Sequence, residues 1–118
     1  MPVTIVPIQI PAGSVLSSAG DATSGNLIAI VMPDYWHGTY LSFQISFIGP
    51  DGPYYDVYDA DGNEIVVAVQ PKTVVIKSIN LSGWIKIRSG PSERSTPQHQ
   101  ECNFSLILSK GPVADAQR

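Results

Sequence analysis

At 118 residues the chain has room for one domain with a two-layer core and none for a second. Its net charge is −3, its seven Lys and Arg residues are scattered, and charged residues make up 14% of it against ~25% in typical soluble domains; with no basic stripe, nucleic acid is excluded as a partner. The single cysteine, Cys102, excludes an internal disulfide and a cysteine-based zinc site, and no stretch approaches the ~20 apolar residues of a membrane span.

Much of the polar exterior must therefore be Ser, Thr, Asn and Gln. Sparse charge of this kind suits a protein packed against neighbouring subunits. The N-terminus lacks the basic start and apolar run of a signal peptide, so the expectation is a protein made and kept in a cytoplasm, or leaving it by lysis.

Residues 1–11 open the chain with an extended segment in which Val3, Ile5, Pro7 and Gln9 alternate with Thr4, Val6, Ile8 and Ile10. Proline at positions 7 and 11 confines it to a sheet edge or to an arm that adds a strand to another subunit. Ala12 to Asn26 is rich in Gly and Ser; Ser14 to Ser17 reads as a short strand and the remainder as loop. Leu27 to Met32 is a continuous apolar run, as expected of a strand covered on both faces, and Pro33 stops it. An aromatic loop follows, Asp34-Tyr35-Trp36-His37-Gly38.

From Leu41 to Phe47 the alternation is unbroken, with Leu41, Phe43, Ile45 and Phe47 toward the core and Ser42, Gln44 and Ser46 away from it. The turn Gly49-Pro50-Asp51-Gly52-Pro53 reverses the chain into Tyr54 to Tyr58, where one of the tyrosines is expected in the core. Asp59-Ala60-Asp61-Gly62-Asn63 turns it again into Glu64 to Val69, giving a three-stranded meander. Pro71-Lys72 then reads as the turn of a further hairpin into Thr73 to Ile79. Gly83 to Ser89 alternates with Lys86 and Arg88 outward. The polar, proline-bounded run Gly90 to Gln100 has the length of a functional or mobile loop. Glu101 to Ser109 is the closing strand, and 111–118 reads as a flexible tail.

No segment shows helical spacing, and ten Gly with ten Pro punctuate the chain throughout. The predicted fold is all-β: a single antiparallel β-sandwich over residues 12–110, jelly-roll-like, of about seven to nine short strands.

No residue set here predicts catalysis, a bound metal or a cofactor. Asp59, Asp61, Asn63 and Glu64 superficially match a calcium loop, but the downstream bidentate Glu is missing and Asp-Gly turns explain the same letters. His37 and His99 each lie in a loop without a nucleophile motif beside them. Tyr35, Trp36 and Tyr54 offer rings on which a sugar can stack. Cys102 reads as a buried structural thiol.

Several segments together carry a resemblance: Ile10 to Ser17, Leu27 to Pro33 with Trp36 after it, Leu41 to Ser46, Tyr55 to Asp59 with Asp61-Gly62, Trp84 to Gly90, and Phe104 to Leu108. Over about residues 10–109 the chain resembles a family of small structural proteins of tailed phages and prophages. The resemblance implies a virion component, with a capsid decoration or cement protein the leading expectation. Its partners would be the major capsid protein and further copies of the chain, forming a homo-oligomer on the virion. The expected contacts are Val3, Ile5, Ile8 and Ile10, the loop residues Tyr35, Trp36 and His37, and Arg94, Gln98 and His99. The chain departs from the family's pattern at Glu93 to Gln100 and in its first ten residues. A neck or tail component, or a carbohydrate-binding module for host attachment, is the alternative.

Overall fold

The computed structural model describes residues 3–79 and 82–110; the expected tail at 111–118 lies outside these. The described residues form nine strands and no helix: β1 (Val3–Ile10), β2 (Gly20–Ala22), β3 (Asn26–Val31), β4 (Tyr40–Ser46), β5 (Tyr55–Asp56), β6 (Val66–Ala68), β7 (Val74–Ile79), β8 (Gly83–Ser89) and β9 (Cys102–Ser109). They make two antiparallel sheets, one of four strands ordered β1-β9-β3-β7 and one of five ordered β2-β8-β4-β5, with β6 on the same edge of β4 as β5.

Counted as one interrupted strand, β5 and β6 leave a simple rule: the first strand pairs with the last, the second with the last but one, and so inward to the β4–β5 turn. A long two-stranded ribbon rolled into two layers has this pattern, which is the winding of a jelly roll. The β-sandwich expected from the alternating segments is the fold observed.

The core lies between the layers. Ile8 and Ile10 of β1, Leu27 and Ile30 of β3, and Phe104, Leu106 and Leu108 of β9 face Leu41, Phe43 and Ile45 of β4 and Ile85 and Ile87 of β8. Each such side chain gives about 1.5–3 kcal/mol on leaving water, which makes this seam the main stabilising element.

Three local expectations change. Residues 39–69 are not a three-stranded meander, because β5 and β6 occupy one edge of β4 in turn. Between them the chain leaves the sheet for the Asp59–Asn63 turn, closed by a bridge between Tyr58 and Glu64. Pro71-Lys72 is not a hairpin turn within one sheet: it carries the chain from β6 in one layer to β7 in the other. Bonds from Lys72 N–H to the Pro33 carbonyl and from Met32 N–H to the Thr73 carbonyl hold it there. Phe47 lies past the end of β4 and is 64% exposed, and Tyr55 and Tyr58 are exposed and Tyr54 half-buried, so none of these three tyrosines enters the core.

Candidate interaction surfaces

The two outer faces of the sandwich differ in character. On the four-stranded sheet, cross-strand pairs put residues on a common side, and the register sets Ile5 opposite Ile107, Ile107 opposite Ala29, and Ala29 opposite Ile76. A second row runs Pro7, Ser105, Val31 and Val74. These rows face away from the core, since Ile5 is 63% and Ile76 79% exposed while their neighbours Leu106 and Ile30 are fully buried. Ala29 is itself only 6% exposed and stands apart from the core cluster, sunk between Ile107 and Ile76. Val3 completes the patch. Among the described residues no charged side chain occupies an outward position on these four strands.

β3 reaches this arrangement through a bulge. The pairing shifts between Leu27 and Ala29, so Leu27 faces the core opposite Leu108 while Ala29, two residues on, faces outward opposite Ile107. Both edges of the sheet are guarded. On β1, Pro7 fits because an edge position needs no second ladder partner. On β7, Lys77 shares the inward side with Val75 and Ile79 and is half-buried, a charge placed where a further strand would have to pack.

The outer face of the five-stranded sheet is polar and closed on itself. Arg88 of β8, expected to point into solvent, is 8% exposed. Its guanidinium pairs with Asp56 of β5 and, at 3.4 Å, with Glu64, while Glu64 also accepts the Ser92 N–H and the Ser42 hydroxyl donates to the Gly90 carbonyl. Arg88 holds the Asp56 carboxyl below the usual carboxylate range. Lys86 on the same face lies 4.5 Å from the centre of the Tyr54 ring and covers one side of it.

The loops nominated from sequence meet at one end of the sandwich, but mostly as internal fastenings. Gln98 is fully buried; its Oε1 accepts the His37 N–H at 2.9 Å, and its Nε2 donates to the His37 carbonyl at 2.7 Å and to the Ser89 hydroxyl at 2.6 Å. His37 and His99 stack with ring centres 4.0 Å apart, both exposed. Trp36 is buried edge-on against Phe104 at 5.9 Å, its Nε1 without a hydrogen-bond partner. Cys102 is buried beneath the same loops, and burial pushes its thiol pKa up.

Of the residues expected at contacts, Ile8, Ile10, Trp36 and Gln98 are therefore interior, because alternation or loop packing turns them onto the domain's own core. Val3 and Ile5 are on the surface, Tyr35 is half-buried, and His37, Arg94 and His99 are exposed. The arm alternative for Val3–Ile10 gives way to the edge strand, paired with β9 along its whole length. Sequence reasoning missed Val31, Val74, Ile76 and Ile107. A signal was present: Leu27 to Val31 and Val74 to Ile76 lack the polar alternate positions that a solvated outer face requires.

Arg94 lines a recess near these loops, a hollow of about 470 Å3 that also presents Thr39, Tyr40, Glu93 and Thr96. The Asp59 carboxylate is occupied in its own turn, accepting the N–H groups of Asp61 and Asn63 at 2.9 and 3.0 Å. Among the described residues no cluster of three or more His, Cys, Asp or Glu side chains is placed to hold a metal ion. Comparison of the chain with protein-family models, with curated proteins and with solved structures finds no match.

Proposed function

We propose that this chain is a non-enzymatic structural component of a phage virion, a decoration or cement protein that sits on the outside of the head and adds cohesion to it. The observation that supports this reading is the uncharged apolar outer face of the four-stranded sheet, centred on Ile5, Val31, Val74 and Ile76. A contiguous apolar patch left open on a small domain is a docking surface in the making. At ~25 cal/mol per Å2, even a modest contact repeated over a lattice sums to a large cohesion. The jelly-roll winding is used by capsid and lectin domains alike, so the fold by itself does not choose between this reading and a sugar binder. The test is to purify particles from a producing culture on a density gradient and probe each fraction for the chain. It should travel with heads, and Ile76→Lys should leave it in the soluble fractions; wild-type chain found only free would overturn the proposal.

The carbohydrate reading keeps one observation in its favour, the recess beside Tyr40, where an exposed ring lies next to Glu93, Arg94 and Thr96. It requires glycan-array binding that Tyr40→Ala removes.

A further inference from the structure

We draw no further inference here: the strongest candidate, the recess beside Tyr40, Glu93 and Arg94 at the loop end of the sandwich, belongs to the carbohydrate reading already described, and nothing in the structure selects a particular ligand for its exposed side chains.

Discussion

Gln98 grips the backbone of His37 from both sides, receiving its N–H and donating to its carbonyl across 61 positions of sequence. The same amide also reaches the Ser89 hydroxyl, so one side chain ties the aromatic loop, the long polar loop and the end of β8 together. Gly90 makes the geometry possible: it sits at φ +92°, and a Cβ there would meet the Arg94 carbonyl at 2.7 Å.

Gln98→Ala leaves the His37 N–H, the His37 carbonyl and the Ser89 hydroxyl without this partner, and each group left unsatisfied costs about 1–3 kcal/mol. The expected loss is about 2–4 kcal/mol in urea unfolding, read as a lower midpoint at unchanged slope. A variant within about 0.5 kcal/mol of wild type would show that the loops are held by something else.

The Arg88 network gives a pH dependence whose sign follows from the lowered Asp56 pKa. Below the unfolded carboxylate value of about 3.9, the unfolded state binds more protons than the folded one. The contribution is therefore full above that value and is lost as pH falls through the folded one. Arg88→Met should flatten this acid limb, and at neutral pH it should cost about 3 kcal/mol by leaving Asp56 and Glu64 without their counter-ion. Denaturant midpoints measured at a series of pH values decide it; an acid limb of the same steepness in the variant would refute the assignment.

Phe43 and Phe47 stand four residues apart on one alternating stretch, yet one is core and the other exposed. Phe43→Ala should cost about 3–5 kcal/mol, while Phe47→Ala should remain within about 0.5 kcal/mol. Trp36→Ala belongs with the first of these, about 3–5 kcal/mol. Loss of glycan binding in that variant would thus report unfolding and could not identify a sugar site.

Such contrasts show what sequence carries and what it does not. Alternation over Leu41 to Ile45 and Cys102 to Leu108 reveals strands and their buried sides, because a period of two admits one solution. Turn chemistry is less informative: Pro71-Lys72 has the letters of a hairpin, and nothing local states whether the chain returns to its own sheet or crosses to the other. β2 is silent because it must be small, since a Cβ on Gly20 would lie 3.0 Å from Ile8 and 3.1 Å from Leu106 of the facing sheet. Arg88 lies outward by alternation, as read, but its burial depends on Glu64 and Asp56, which reach it from 24 and 32 residues away. The outer apolar face is assembled from four strands whose neighbours are set by the roll, so it exists only once the roll does.

Cys102 supplies a check on the integrity of every variant. Buried and with its thiol pKa raised, it should react with an aromatic disulfide reagent far more slowly in the folded protein than in urea. Fast labelling of the native wild-type chain would contradict the packing of the loops over it.

The most direct measurement of the central claim is hydroxyl-radical footprinting of the chain in purified virions against the same chain dilute and monomeric. Protection concentrated on Ile5, Val31, Val74, Ile76 and Ile107, with Phe47 and Ile48 unchanged, is the expected result. Equal labelling of those five residues in both states would contradict it.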